Sequence, residues 1–335
     1  MIDYKYTITE KENASEELVI RFLSLAKCPK INCSGSLKCI GDNLRCDMNT
    51  SHVIHRSKYG NFYDFAPPDE DSTTLWAQDS IYASEKIARH YTGLWAFGHH
   101  FLYDSELLKK GWHVGRGETD IFYRLILQLV LEKYEKDDSY VMCDIGCGVG
   151  RCTYDLAYLF PKSLVLGLDI SDNMLRMADR ILFQERDIEI DLSDAGFGKR
   201  VISRRNLPVI NNAVIFQANA ERVPLKAPFE GGGFDLVLNI NVIDRTLNPD
   251  AIFKSSMAIV KPGGGLLIAV SGSWQQDGHW NRYGANIDWC LELLQSKNFI
   301  LEFISDRVMF REIINNQGAY EEYPLYVIFA RRESR

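Results

Sequence analysis

A short apolar stretch that leads directly into a glycine-rich turn constrains the fold of this chain more than any other feature. Residues 140–144 have the composition of a buried strand, and Gly146, Gly148 and Gly150 follow at alternate positions. Glycine lets the backbone turn tightly and lets a ligand approach it closely. A helix is expected directly after the turn. A strand, a glycine loop and a helix in this order predict a cofactor-binding loop in an α/β protein.

Further apolar runs predict the rest of a sheet. We expect six more strands, near residues 164–170, 213–217, 234–239, 266–270, 300–304 and 325–330, with a chain break at residues 261–265. Helices are predicted at residues 16–26, at 119–136 and after Ser171, which suits a helix N-cap. Strands that alternate with helices over this length indicate an α/β fold with a doubly wound, seven-stranded, mostly parallel sheet.

Changes in composition divide the 335 residues into three predicted regions. Residues 1–66 form a polar leader and a small ribbon-like module, residues 67–118 an aromatic helical cap or lid, and residues 119–335 the sheet domain. The chain has no apolar run of about 18 residues, so no membrane association is expected. Its polar start does not resemble a signal peptide, so a cytoplasmic location is expected.

The acidic residue that opens the glycine loop, Asp144, limits the ligand that the loop can take. Dinucleotide enzymes use G-x-G-x-x-G, whereas here Arg151 occupies the third glycine position. A carboxylate at this point disfavours a pyrophosphate and favours a cationic ammonium or sulfonium group. Asp169 ends the next predicted strand, where a carboxylate can bind a ribose diol, and Glu221 follows the third strand near an expected adenine position.

Five segments in order resemble the signature segments of class I S-adenosylmethionine-dependent methyltransferases: VMCDIGCGVGRCTYDLA (141–157), VLGLDISDNML (165–175), VIFQANAERVPL (214–225), FDLVLNINVID (234–244) and IVKPGGGLLIAV (259–270). The resemblance covers about residues 119–335. It implies that the glycine loop lines the methionine moiety, that Asp169 holds the ribose, and that Ala220 and Glu221 flank the adenine. Asn219 stands where the family usually has Asp. The predicted donor-binding set is Asp144, Gly146, Gly148, Asp169, Ile170, Asn219, Ala220, Glu221 and Asn239.

Four cysteines lie close together near the N-terminus. In a reducing cytosol a local cysteine cluster indicates a metal rather than disulfides, and thiolates with an imidazole suit tetrahedral zinc. The predicted ligands are Cys28, Cys33, Cys46 and His52, with Cys39 and His55 as spare candidates. Four protein ligands would make the ion structural. The segment resembles the small zinc module at the front of some rRNA guanine methyltransferases.

The acceptor side is predicted from the end of the fourth strand. Methyl transfer depends mainly on positioning, so no catalytic triad is required. Asn241 and Asp244 follow this strand and are candidate catalytic residues, as is His100 in the predicted cap. NVIDRTLNP (241–249), VMFREI (308–313) and YVIFARR (326–332) resemble the N-methyltransferase domain that completes ovothiol synthesis. This partial resemblance implies a small, amino-acid-like acceptor that is methylated on nitrogen.

Two other functions stay open. The net charge of −7 disfavours a nucleic-acid partner, although lysines and arginines within the predicted zinc module would suit an rRNA or tRNA base methyltransferase. The third alternative is a scaffold protein that keeps the fold but catalyses no reaction. The intact glycine loop and its acidic residue Asp144 argue against this alternative. The oligomeric state is not predicted by the sequence.

Overall fold

The computed structural model describes residues 12–30, 32–58, 60–66, 118–192, 198–202, 204, 207–243, 246, 248–271, 287–313 and 320–334. The predicted aromatic cap falls almost entirely outside these residues. His100 and Asp244 also lie outside them. The division of the chain at residues 66 and 118 therefore stays a prediction.

Eleven of the described strands form one sheet. In chain order they are β1 Leu37–Ile40, β2 Asn43–Cys46, β3 Val53–Arg56, β4 Tyr63–Asp64, β5 Val141–Ile145, β6 Leu164–Asp169, β9 Ala213–Gln217, β10 Phe234–Ile240, β11 Val260–Ser271, β12 Phe299–Ile313 and β13 Tyr320–Arg332. Their spatial order is β1-β2-β3-β4-β9-β6-β5-β10-β11-β13-β12. The remaining two strands, β7 (Ile188–Leu192) and β8 (Gly198–Ile202), form a separate antiparallel hairpin.

The prediction of a seven-stranded sheet is wrong in its count. The seven strands from β9 to β12 are the predicted ones, with β9, β6, β5, β10 and β11 parallel and β13 antiparallel to its neighbours. Four N-terminal strands extend this sheet, because β4 pairs in parallel with β9 through Tyr63 and Phe216. An uncovered β9 would present unpaired backbone groups at the edge.

The predicted chain break at residues 261–265 is also wrong, because β11 runs through this segment. The glycines there allow close approach within the sheet. A Cβ on Gly265 would lie 2.6 Å from a ring carbon of Phe329 and 2.6 Å from the hydroxyl of Tyr134, and one on Gly264 would lie 2.7 Å from the carbonyl oxygen of Phe234. Glycine in a strand can therefore mark close packing as well as an interruption.

Helices cover both faces of the sheet and confirm the doubly wound arrangement. They are α1 Glu12–Leu25, α2 Glu118–Leu131, α3 Arg151–Leu159, α4 Asp172–Phe183, α5 Pro249–Ala258 and α6 Ile287–Ser296. One buried core lies beneath α2, α3 and α4, and a second lies beneath α1, α5 and α6. Ser171 caps α4 as predicted, since its hydroxyl accepts a hydrogen bond from the Met174 amide at 3.3 Å.

The N-terminal part of the chain packs on the edge of the sheet through aromatic rings. The ring centroids of Phe22 in α1 and Phe216 in β9 are 5.4 Å apart, and those of Phe65 and Phe216 are 5.3 Å apart. All three rings are buried. Within the described ranges, no helix has the length and hydropathy that crossing a membrane requires.

Candidate functional site

The glycine loop connects β5 to α3 and is hydrogen-bonded to the carboxyl end of β6. The amides of Gly146 and Cys147 donate hydrogen bonds to the carbonyl of Leu168, at 2.8 and 2.9 Å. Gly146 has a φ of +72°, and a Cβ there would lie 2.2 Å from Val242. Gly148 has a φ of +55°, but no heavy atom of the described chain would lie within 4 Å of its Cβ. Gly146 is thus required by packing, whereas Gly148 opens onto space that a ligand can occupy.

Asp169 stands beside this opening at the end of β6. Its Oδ2 accepts a hydrogen bond from the Gly148 amide at 2.9 Å, and its Oδ1 accepts one from the Ser171 amide at 2.8 Å. Burial raises the pKa of this carboxyl, and the backbone donors oppose that effect. Each carboxylate oxygen can accept more than one hydrogen bond, so the fixed carboxylate can also bind a diol.

Asp144 lies beneath the loop. It is 2% exposed, and its Oδ2 accepts a hydrogen bond from the Thr153 hydroxyl at 2.7 Å. Burial raises the pKa of Asp144 to about 7. Because the carboxyl group is buried beneath the loop, it can influence a ligand above the loop only through its charge. Sequence reasoning missed Thr153, although its position in the first turn of the helix after the loop suits such a contact.

The predicted adenine-side residues follow β9 on the neighbouring loop. The Ala218 amide donates to the Asp169 carbonyl at 2.9 Å, which holds the two strand ends together. Asn219 accepts a hydrogen bond from the Glu221 amide at 2.8 Å and so caps the short 3₁₀ helix Ala220–Arg222. Glu221 accepts one from the Thr246 hydroxyl at 3.3 Å, and burial raises its pKa.

The backbone carbonyl of Ile170 accepts a hydrogen bond from Nε2 of Gln217 at 3.0 Å. This bond also links the loop after β6 to β9. Ile170 therefore lies between the acid that ends β6 and the adenine-side loop, at the carboxyl edge of the sheet, where ligands bind in doubly wound folds.

The end of β10 forms the opposite wall. Asn239 is fully buried and donates to the Ser256 hydroxyl at 3.1 Å, so its side chain lies in the core rather than at the opening. Asn241 has a φ of +56°, and its amide donates to the Ala269 carbonyl at 2.8 Å. Its buried Oδ1 has no hydrogen-bond partner among the described residues. Val242, the next residue, contacts Gly146.

The predicted metal ligands come together at a separate place. Ligand atoms of Cys28, Cys33, Cys46 and His52 all lie within 4.8 Å of one another. The Cys33 and Cys46 sulfurs are 3.5 Å apart, and the Cys28 sulfur is 3.4 Å from His52 Nδ1. A tetrahedral zinc site with Zn–S bonds of about 2.3 Å has sulfur–sulfur edges of about 3.8 Å. A Cβ on Gly35 would lie 2.3 Å from the Cys46 sulfur. The donor types and spacings therefore fit zinc.

The two spare candidates lie outside this group. Cys39 is exposed on β1, and His55 Nδ1 lies 3.2 Å from the Asn43 side-chain oxygen. Neither belongs to the set of clustered ligand atoms found among the described residues. The four predicted ligand residues thus lie together in the structure, and their binding of zinc stays a prediction.

A mostly parallel, doubly wound sheet with an acid and glycine loop after one strand and an acid at the end of the next defines the class I methyltransferase fold. The chain belongs to the methyltransferase domain family, whose model matches residues 136–305. This region is a class I S-adenosylmethionine-dependent methyltransferase domain.

Relatives with curated names are distant. Phosphoethanolamine N-methyltransferase 2 of Caenorhabditis elegans is 25% identical over an alignment of 252 positions, and the alignment covers 69% of this chain and 45% of that protein. A mitochondrial ubiquinone biosynthesis O-methyltransferase of Dictyostelium discoideum is 28% identical over 43% of this chain and 40% of that protein. The chain spans less than half the length of either relative.

Among solved structures, magnesium protoporphyrin IX methyltransferase from Synechocystis with bound SAH is 15% identical, with a TM-score of 0.42. The alignment covers 76% of this chain and 100% of the Synechocystis chain.

Proposed function

We propose that this protein transfers a methyl group from S-adenosylmethionine to a small, amino-acid-like or natural-product acceptor, most favourably on nitrogen. The observation that carries the proposal is the open backbone at Gly148 beside the fixed carboxylate of Asp169. A cationic, ribose-containing ligand fits there because the backbone can be approached closely and because no lysine or arginine of the described residues pairs with Asp144 or Asp169.

The donor carries an electrophilic methyl group on a sulfonium. In the proposal, Asp169 accepts hydrogen bonds from the ribose hydroxyls, and the loop residues Asn219–Glu221 contact the adenine. Asp144 favours the positive charge through space when it is ionised. Asn239 supports the wall of the crevice through Ser256 rather than by direct contact.

Asn241 is the residue that we assign to the acceptor. Its buried side-chain oxygen can accept a hydrogen bond from an acceptor N–H, which would aim the nitrogen lone pair at the methyl carbon. The new N–C bond forms as the S–C bond breaks, and the electron pair of that bond returns to sulfur. An acceptor that starts protonated must first lose a proton. Asp244 and His100 stay candidate bases.

The nature of the acceptor is supported by three observations. The two relatives carry names that refer to small molecules, phosphoethanolamine and ubiquinone. The net charge of −7 disfavours a polyanionic partner. Residues 234–332 resemble the ovothiol N-methyltransferase domain. We place the protein in the cytoplasm in this proposal.

Titration calorimetry with S-adenosylmethionine, followed by incubation with labelled donor and two acceptor pools, tests the proposal. One pool is a small-metabolite extract and the other is total RNA. We expect donor binding and label in a small molecule, whose mass then identifies it. The Asn241→Ala variant should bind the donor normally and transfer label more slowly, with Asn43→Ala on the N-terminal module as the matched control.

Other outcomes would favour the alternatives. Label in RNA would support a base methyltransferase, for which exposed Lys38 and Arg56 on the N-terminal strands offer phosphate contacts. A protein that binds no donor would overturn the proposal and support the scaffold alternative.

We also propose that Cys28, Cys33, Cys46 and His52 bind one structural zinc ion. Four ligands from the chain leave no open coordination position. The carboxamide of Asn49 lies 3.1 Å from His52 Nε2 and can orient the ring. Elemental analysis should find about one zinc per chain in the parent protein and in Cys39→Ser, and little in Cys46→Ser. A parent protein without zinc after exposure to the ion would overturn this proposal.

A further inference from the structure

The loop that carries the predicted adenine residues is held at both ends by the N-terminal module, residues 24–66. At the upstream end, β4 pairs with β9, with Tyr63 opposite Phe216 and Asp64 opposite Gln217. The amide of Phe65 then donates to the carbonyl of Gln217 at 2.8 Å. The module therefore fixes the backbone two residues before Asn219.

At the downstream end, the chain just before the first cysteine binds the same loop. The amide of Lys27 donates to the Pro224 carbonyl at 3.0 Å, and the amide of Lys226 donates to the Leu25 carbonyl at 2.7 Å. The Lys27 ammonium pairs with Glu230 at 3.0 Å. The loop from residue 217 to residue 227 is thus anchored to the module on each side of Asn219–Glu221.

The metal ligands connect these two anchors. Cys28 directly follows Lys27, which forms the downstream anchor. Cys46 ends β2, and His52 directly precedes β3, which pairs with β4 at the upstream anchor. One ion bound by Cys28, Cys46 and His52 would join both anchors through a single point.

We propose that zinc in the N-terminal module holds the adenine-binding loop in place, so that the bound metal strengthens methyl-donor binding although no ligand residue touches the donor. This inference rests on the donor and zinc sites proposed above. It makes Leu25, Lys27 and Tyr63 positioning residues of the donor site.

The physical reason is that the module has only short strands of its own. Its strands are two to four residues long. Strands of this length are not stable alone, and a small metal-bound unit commonly loses its structure when the metal is removed. If the anchors loosen, the adenine loop becomes more mobile, and the donor must restore its order on binding. Donor affinity then falls.

The test compares zinc-loaded protein with protein from which a chelator has removed the metal. Calorimetry with S-adenosylhomocysteine measures affinity without turnover. We expect affinity to fall by about tenfold or more on metal removal and to return when zinc is restored. Amide hydrogen exchange should become faster in residues 213–231 and stay unchanged in residues 141–156, which serve as the internal reference.

Two variants extend the test. Cys39→Ser keeps all four ligands and should match the parent protein, whereas Cys46→Ser should match the metal-free protein. If Cys46→Ser does not fold, Lys27→Met provides the second variant, because it removes only the ion pair with Glu230. It should keep zinc and bind S-adenosylhomocysteine about two- to threefold more weakly.

The possible failures are distinguishable. Unchanged affinity and unchanged exchange in the metal-free protein would overturn this inference and leave the methyltransferase proposal intact. A parent protein that takes up no zinc would overturn the zinc proposal and this inference together. A zinc-loaded protein that does not bind S-adenosylhomocysteine would overturn the methyltransferase proposal, and this inference with it.

Discussion

The glycine-loop region and the N-terminal module are held in place by different physical means. The central strands β5 and β6 are buried along almost their whole length, between two layers of helices. In the module, β1 buries only Leu37, and β2 alternates between buried and half-buried residues. Close packing therefore shapes the loop, whereas a few backbone hydrogen bonds and one aromatic cluster position the module. Substitutions at the glycine loop should therefore act through lost packing, whereas substitutions in the module should act through lost hydrogen bonds or aromatic contacts.

Phe216→Ala should have the largest effect, because this residue of β9 joins the N-terminal part of the chain to the sheet. Its ring is fully buried and contacts Phe22 and Phe65. Phe216→Ala should lower the free energy of unfolding by about 3–5 kcal/mol, as large core truncations do. Phe229→Ala is the matched control, since that ring is 88% exposed. Chemical denaturation measures both, and a loss below about 1 kcal/mol for Phe216→Ala would show that the junction contributes little.

Substitution of Gly146 tests whether packing fixes the loop. Gly146→Ala combines a positive φ with a 2.2 Å approach to Val242 and should cost about 2–4 kcal/mol. Gly41→Ala separates the two causes, because Gly41 has a φ of +61° and open space around its Cβ. It should cost only about 1–2 kcal/mol. Equal losses in the two variants, measured by thermal unfolding, would contradict the packing argument.

Asp169 tests the ligand side of the glycine-loop region. Asp169→Ala should weaken S-adenosylmethionine binding by about 1.5–3 kcal/mol, because hydrogen bonds to a charged group are lost. Asp250→Ala is the control: that carboxylate pairs with Lys254 on α5. Calorimetry measures both variants. Unchanged donor affinity in Asp169→Ala would remove Asp169 from the ribose site.

The smallest expected effect on ligand binding is a dependence on pH that comes from Asp144. Burial raises its folded-state pKa to about 7 from an ordinary value of 3.8. The folded protein therefore keeps a proton that the unfolded chain loses, so this group's contribution to stability falls as pH rises from about 4 to 7 and is constant above that range.

The same titration should affect the choice between donor and product. The ionised carboxylate favours the sulfonium of S-adenosylmethionine over the neutral sulfur of S-adenosylhomocysteine. The preference for S-adenosylmethionine should therefore increase by a few-fold between about pH 6 and pH 8. Calorimetry with both ligands at both pH values measures it. Asp144→Asn should abolish the change, and a change that persists in this variant would exclude Asp144 as its source.

The two regions also differ in what the sequence could predict. The glycine loop, Asp144 and Asp169 depend on local patterns of strand, turn and helix, which the chain displays directly. The four predicted metal ligands lie within 25 residues, and their side chains lie together in the structure. The pairing of β4 with β9 could not be predicted, because a two-residue strand has no periodicity and its partner is far away in sequence. The glycines of β11 misled the prediction because their close contacts are with distant residues.

The contact between Lys27 and Glu230 joins residues that are 203 positions apart. At about 5–20 residues per second, a ribosome needs about 10–40 s to synthesise that interval. The three cysteines and the histidine of the proposed zinc site, in contrast, lie within 25 residues of one another and can meet before β9 is synthesised. If the N-terminal segment binds zinc as proposed, it can do so before β9 (Ala213–Gln217), the strand on which it docks, has been synthesised.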